Sequence, residues 1–307
     1  MESRLFGITN TDLRQLAYQL AERKGLTHSF SEIKKMAGKK WLYGFRQRHP
    51  NITVCKPEPT SFARAAGFNK VAVKKFYELL GSLINKYNLD GSRISNCDEM
   101  GMKTVQQQPA KVLARTGKHQ VGSLTSAECG KNVTVICTAN GCGRFVPPCF
   151  IFPRKRENPI LMGHTPSCSK GFFQESGWMN GDIFVKCLQH FIDFEKPTTE
   201  KPVVMILDGH SSHTKNVEVL ELARANGVVL LSLPPHTTHR LQPLDVGFYK
   251  PLQTYYDRYI DRWLRSHPGC VFTEYQVGEA FSEAYGKAAS VAIAVNSFRK
   301  CVCHKLY

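Results

Sequence analysis

Three aspartates stand where a carboxylate can do phosphoryl chemistry: Asp98 in SRISNCDEMG, Asp208 in KPVVMILDGHSSH and Asp245 in VVLLSLPPHTTHRLQPLD, each behind an apolar run. Such a run ending in an acid predicts a buried strand that delivers a carboxylate to the crevice where open α/β sheets hold ligands. Three acids aimed at one point form an oxygen-only donor set. Mg²⁺ suits it, binding a few carboxylates and leaving its other positions to water and phosphate oxygens. Two ions about 3.5–4 Å apart can then activate an attacking oxygen and stabilise a leaving one on a phosphodiester. The plainer reading of each aspartate is a helix cap or loop turn, both common after a strand. Glu99 competes with Asp98 as the first ligand. Strand alternation sends the two to opposite faces, and Cys97 shares the face of Glu99, which disfavours an acid–thiol dyad.

Two H-x-x-H pairs offer a rival site: His210 and His213 in HSSH, and His236 and His239 in HTTH. Four imidazoles can bind zinc tetrahedrally. Neither pair has the HExxH form of a metalloprotease, and both sit in Ser/Thr-rich turns, where histidine serves as a hydrogen-bonding loop residue. His210 and His213 therefore stand as auxiliary groups that could meet phosphate or a metal-bound water. The 11 cysteines are odd in number and lack the spacing of a disulfide framework. Cys137 and Cys142 flank the turn of CTANGCG without a second ligand pair, so a hairpin accounts for them better than zinc.

The elements that must position these groups change character along the chain. Residues 11–24 predict an amphipathic helix with Thr11 as a plausible N-cap. A short helix is expected around Ser31–Met36, and a third over Lys39–His49, with Trp41, Leu42 and Phe45 on one side. Lys39, Lys40, Arg46 and Arg48 accompany that last helix, and Lys56 follows it. Three short helices with a basic last one resemble a helix-turn-helix unit, in which the last helix enters the major groove. A Pro-interrupted stretch follows, then a helix over 70–88 whose Phe76, Leu79, Leu80 and Leu83 form a packing stripe. From Ile94 the pattern turns to strands at 94–97, 133–138 and 145–152, with Asn140-Gly141 making a hairpin of the last two. Helix 182–194, strand 203–207, helix 215–226, strand 228–233, helix 251–266 and helix 274–288 complete the order. Three strands in antiparallel connection, followed by strand–helix alternation, predict a ribonuclease H-like mixed sheet flanked by helices, preceded by a small all-α domain. The expected domains are 1–68, a connecting helix in 69–92, and a catalytic domain in 93–307.

The chain has 307 residues, 42% of them hydrophobic, enough for one large core and one small. Its formal charge is +16. Residues 1–90 carry 16 Lys and Arg against 7 acids, which points to a nucleic-acid partner for that segment. PRKRE at 153–157 is a second basic cluster, open to a role in DNA contact, in nuclear import, or as a solvated strand end. The amino terminus lacks the pattern of a signal peptide, and no apolar run approaches the roughly 18 residues of a membrane span. A soluble, intracellular protein without membrane contact is expected.

The motifs NCDEMG, LDGHSSH, LPPHTTHRLQPLD and GFYKPL resemble those of pogo, Tigger and jerky-type transposases and of genes derived from them. KKMAGKKWLYGFRQRHP and KPEPTSFARAAGFNK are similar to the family's CENP-B-type helix-turn-helix domain. VGSLTSAECGKNVTV, FVPPCFIFPRKR and ESGWM are similar to its DDE superfamily endonuclease domain. The resemblance implies a two-metal core using Mg²⁺, with Mn²⁺ as a substitute, held by Asp98, Asp208 and Asp245. It also implies double-stranded DNA as partner, at least two subunits to hold two transposon ends, and a nuclear location. Gly209 stands where the family usually has Asn, and Met100 where Thr is frequent. The chain lacks the further upstream helix-turn-helix of many relatives and stops at CVCHKLY, so a shortened product is expected. Two functions follow: a metal-dependent endonuclease and strand-transfer enzyme, or a domesticated DNA-binding or chromatin protein that kept the scaffold without the reaction.

Overall fold

The computed structural model describes residues 9–54, 70–106, 130–209 and 216–301. The chain divides into two compact units, Met1–Ser61 and Phe62–Tyr307.

In the first unit, α1 (Asn10–Arg23) begins with a capping box in which the Thr9 hydroxyl accepts from the Asp12 N–H while the Asp12 carboxylate accepts from the Thr9 N–H. The cap is thus Thr9 rather than Thr11. Helix α2 spans Lys39–Arg48. The helix expected at 31–36 does not form. Lys35 takes a left-handed φ of 45°, and Ser31 and Met36 pair as an isolated antiparallel bridge, a backbone course that no α-helix can follow. Within 9–54 the described helices are therefore two rather than three. Arg14 fastens α1 to the following segment, its carbonyl accepting from the Ala37 N–H at 2.9 Å and its Nε donating to the Ala37 carbonyl at 2.6 Å.

The second unit opens with α3 (Lys70–Tyr87) and is built on a six-stranded sheet of β1 (Ile94–Lys103), β2 (Asn132–Asn140), β3 (Phe145–Pro153), β4 (Lys170–Gln174), β5 (Val203–Leu207) and β6 (Val228–Ser232). The spatial order is β4-β3-β2-β1-β5-β6. Pairs β1–β2 and β2–β3 are antiparallel, whereas β1–β5, β5–β6 and β3–β4 are parallel. Further α-helices among the described residues are α4 (Gly181–Glu195), α5 (Val217–Ala225), α6 (Thr238–Leu241), α7 (Tyr249–Ser266), α8 (Glu274–Ala288) and α9 (Val291–Cys301), with a π-helical turn at Leu244–Phe248 leading into α7.

Helices cover both faces of the sheet. One face carries Cys97, Ile136, Cys149, Ile151, Met205 and Leu207 and packs on α4 and α5 through Phe184, Leu188, Phe191 and Val219. The other face carries two cores. Met102, Val133, Val135, Phe150 and Phe152 pack on α7 and α8 through Tyr256 and Phe281. Ile94, Val204 and Ile206 pack against Phe76 and Leu80 of α3 and Phe298 of α9. This is the ribonuclease H-like mixed sheet flanked by helices. Strand β1 runs six residues past the expected Cys97, and Gly101 permits it: a Cβ there would lie 2.5 Å from Asn132 Oδ1. Strand β4 and helix α9 add to the expected order.

Candidate active site

Backbone register brings two of the aspartates level. Strands β1 and β5 pair in parallel as Ile94↔Val204, Ser95↔Met205 and Asn96↔Ile206. Asp98 and Asp208 each lie two residues beyond the last of these pairs. Alternation sends Asp98 to the face of Asn96 and Met102, and Asp208 continues the matching face of Val204 and Ile206. Asp98 sits opposite Cys137 of β2. Along that face of β1 the polar pair Asn96 and Asp98 separates Ile94 of one apolar core from Met102 of the other. Asp98 and Asp208 are both half-buried. Asp208 directly follows the end of β5 as expected, whereas Asp98 stands in the middle of β1, because that strand continues to Lys103.

Asp245 comes from a different kind of element. It is exposed, second in the π-helical turn Leu244–Phe248. Two hydrogen bonds flank it and both run to β1. The Leu244 N–H donates to Asn96 Oδ1 at 3.0 Å, and the Tyr249 hydroxyl donates to the Asp98 carbonyl oxygen at 2.7 Å. Asn96 Nδ2 also donates to the Ile206 carbonyl at 3.0 Å, on the strand that delivers Asp208. Sequence reasoning gave neither Asn96 nor Tyr249 a role. The available signal was an amide two residues before the acid inside an otherwise apolar strand.

The electrostatics tie the three acids together. Burial, then the charge of Asp245, then those of Glu99 and Asp208 push the Asp98 carboxyl well above the usual carboxylate range, with the Glu99 backbone N–H partly opposing. Asp98 thus feels both partner aspartates although 110 residues separate it from Asp208. Tyr249 is pushed up by burial and by the charge of Asp98, which keeps its hydroxyl a proton donor. On the opposite face of β1 the Cys97 thiol is pushed up by burial, leaving it protonated and unsuited as a nucleophile.

The donor chemistry fits a hard divalent cation. A carboxylate whose proton affinity is raised by neighbouring carboxylates is the kind of group a divalent ion neutralises. Among the described residues no three His, Cys, Asp or Glu side chains are arranged to hold a metal ion. The fit therefore rests on donor type and shared charge. His210 and His213 lie outside the described residues. His236 is exposed and His239 half-buried, and they belong to no metal-holding group among the described residues.

The expected DNA-contact residues of the first unit are displayed on α2. Lys39, Lys40, Arg46 and Arg48 are all exposed, while Trp41, Leu42 and Phe45 are half-buried, as the helical period requires. A run of ring contacts holds that side: Tyr18 to His28, His28 to Phe30, Phe30 to Trp41, and Trp41 to Phe45. Lys56 lies outside the described residues. The PRKRE cluster is divided in its use. Arg154 pairs with the buried carboxylate of Glu274 at 3.3 Å, which Lys131 holds from the other side at 2.8 Å. Lys155 and Arg156 remain exposed.

Residues 130–282 match the sequence family described as DDE superfamily endonuclease, a span that contains Asp208 and Asp245 and begins after Asp98. The solved Mos1 strand transfer complex superposes with a TM-score of 0.51 at 12% identity, covering 95% of this chain and 74% of that one. The Mos1 mariner paired end complex with Mn gives 0.50 at 12% identity, with 94% and 77% covered. At that identity the likeness concerns the fold. A protein of Cochliobolus lunatus named MFS-type transporter clz9 is 30% identical over 225 residues, 70% of this chain and 23% of that protein. The chain thus spans under a quarter of that relative's length. Among the described residues no helix is long and apolar enough to cross a membrane.

Proposed function

We propose that the chain is a transposase or transposase-derived protein of the pogo, Tigger and jerky type that breaks and rejoins DNA phosphodiesters at a divalent-metal site formed by Asp98, Asp208 and Asp245. The support for this reading is that Asp98 and Asp208 lie level in the β1–β5 register, that hydrogen bonds to β1 flank the turn carrying Asp245, and that Asp98 feels the charge of both other acids. Mg²⁺, or Mn²⁺ in its place, would supply Lewis-acid stabilisation of the attacking and leaving oxygens. The protein's own part is to hold the carboxylates. Parallel pairing of β1 and β5 sets the backbone of Asp98 and Asp208 level with each other.

In this reading the first unit binds double-stranded DNA in the manner of a CENP-B-type helix-turn-helix domain. Lys39, Lys40, Arg46 and Arg48 on α2, with Lys56 beyond it, meet phosphates and groove edges. Two or more subunits act on paired DNA ends, and the protein works in the nucleus. The support is the exposed basic face of α2 together with the net charge of +16.

A second reading, a DNA-binding protein that has lost the reaction, is favoured by one observation. Gly209 follows the second aspartate, and among the described residues a Cβ built there would meet nothing nearer than the Leu233 carbonyl at 3.9 Å. Packing therefore does not demand glycine where the resembled family usually carries Asn. Incubating supercoiled plasmid and terminal-repeat DNA with Mg²⁺ or Mn²⁺ separates the readings. The enzyme reading expects nicking by the native chain and none by Asp208→Ala. Equal nicking by both, or none by either, contradicts it, and recovery of nicking in Gly209→Asn from an inactive native chain identifies a lapsed enzyme.

A further inference from the structure

We propose that Asn96 is a positioning residue that sets the spacing of the three carboxylates, with Tyr249 closing the arrangement from the helical side; the proposal rests on the metal-site reading above. One side chain touches the backbone beside every acid. Asn96 lies two residues before Asp98. Its Nδ2 donates at 3.0 Å to the carbonyl of Ile206, two residues before Asp208. Its Oδ1 accepts at 3.0 Å from the N–H of Leu244, one residue before Asp245. The residue is 0% exposed, so these bonds form in a site with little water to replace them.

The location explains why an amide is needed. Asn96↔Ile206 is the last pair of the β1–β5 ladder, and the acids lie just past it, where the sheet no longer holds the strands together. A side-chain bridge at that point fixes the two strands where their pairing ends. Leu244 opens the π-helical turn directly after Pro243, and an N–H at the start of such a turn has no partner within it. Asn96 Oδ1 satisfies that donor and draws the Asp245 segment onto β1. An amide donates to a carbonyl and accepts from an N–H here without adding charge. Aspartate would lose the donor and bring a fourth carboxylate, and serine has too short a reach for both.

Tyr249 makes the second attachment. Its buried hydroxyl reaches the carbonyl oxygen of Asp98. Asp245 thus sits between two anchors, Leu244 and Tyr249, that both end on the strand bearing the first acid. Carboxylates that share divalent ions must be held to a fraction of an ångström, and these bonds join the three segments without using a carboxylate oxygen.

The test uses the full chain and Mn²⁺ alone as the probe. Free Mn²⁺ is measured by electron paramagnetic resonance during titration of the native protein, Asp208→Ala, Asn96→Ala and Tyr249→Phe, with circular dichroism and thermal melting checking that each variant folds. DNA nicking is recorded against Mn²⁺ concentration in parallel. Asn96→Ala is expected to weaken Mn²⁺ binding by about 10- to 100-fold, the usual loss when a group that orients metal ligands is removed. Its nicking should move to higher Mn²⁺ and recover in part at saturation, a pattern that a general loss of stability does not produce. Tyr249→Phe keeps the ring and should shift in the same direction by less. Native affinity in a folded Asn96→Ala protein overturns the proposal, and if that variant fails to fold, native affinity in Tyr249→Phe overturns it. If the native chain binds Mn²⁺ no better than Asp208→Ala, the metal-site reading itself falls and this role with it.

Discussion

The two units hold their functional residues by different means. Among the described residues of the first unit only Ala21 and Ala37 are buried, and α2, which carries the exposed cations, buries none. That unit is joined by a run of aromatic contacts, a capping box and the Arg14–Ala37 bonds. The second unit buries three hydrophobic clusters around a six-stranded sheet, with Phe150, Phe152, Phe281 and Tyr256 almost wholly enclosed. The contrast fits the chemistry proposed for each. Attraction of Lys and Arg to a polyanion acts over several ångströms and tolerates motion, whereas metal-assisted phosphoryl transfer fails when its ligands drift. A thin scaffold serves the first task and a close-packed sheet the second.

The sharpest way to break this contrast is at the acids. Asp98→Asn is expected to lower metal-dependent nicking by at least about a thousandfold, several kcal/mol of barrier, while filter binding shows DNA affinity retained. The same variant should melt no lower than the native chain in EDTA. A carboxyl held above its ordinary range stabilises the fold fully only below its unfolded-state value, and that contribution is lost as pH rises through the higher folded value. The contribution of Asp98 to stability in EDTA should therefore fall on going from about pH 4 to neutral, read as the difference in stability between the native chain and Asp98→Asn across that range. A steeper fall in the variant would mean that the crowding around Asp98 has been misjudged.

Packing supplies the next test. Phe281→Ala removes a fully enclosed ring and should destabilise the second unit by about 3–5 kcal/mol in urea unfolding. Phe45→Ala removes the ring that packs on Trp41 and His49 and should cost about 2 kcal/mol, roughly 1 for each ring pair. Equal losses would erase the distinction between a packed and a thin scaffold. Replacing Lys39, Lys40, Arg46 and Arg48 together with alanine should weaken DNA binding at all sequences. It should also flatten the dependence of log affinity on log salt by about 0.9 for each phosphate that is no longer neutralised, measured by fluorescence anisotropy. An unchanged slope would remove α2 from the DNA interface. The smallest effect concerns capping. Thr273→Ala breaks the box that starts α8 and should cost about 1 kcal/mol. The matching Thr9→Ala should show instead as faster amide exchange along α1, with the second unit unaffected.

The level placing of Asp98 and Asp208 was legible in their apolar runs and the sheet order, whereas Asp98 stands within β1 rather than at its end and Asp245 lies in a π-helical turn 13 residues past β6. The cations of α2 were legible because helical periodicity separates them from Trp41 and Phe45. What the sequence hid has physical reasons. Asn96 reads as a polar interruption in a strand until its two distant backbone partners are known, since its bonds run to Ile206 and Leu244, far away in sequence. The helix expected at 31–36 yields to a left-handed Lys35, a backbone choice with no composition signal. Strand β4 is five residues long and joins β3 in parallel across a long connection, too short to show a period of its own. PRKRE left three roles open, and its Arg154 proves to pair with buried Glu274, tying the end of β3 to α8, a contact that residues far apart in sequence do not announce.

The central claim is that Asp98, Asp208 and Asp245 form one metal site. Anomalous diffraction from crystals of the full chain grown with DNA and Mn²⁺ tests it most directly. The expected result is one or two strong peaks among the three carboxylates, with metal–oxygen distances of about 2.0–2.2 Å. Peaks elsewhere, or a map without signal beside Asp98 and Asp208 in crystals saturated with Mn²⁺, would contradict the account.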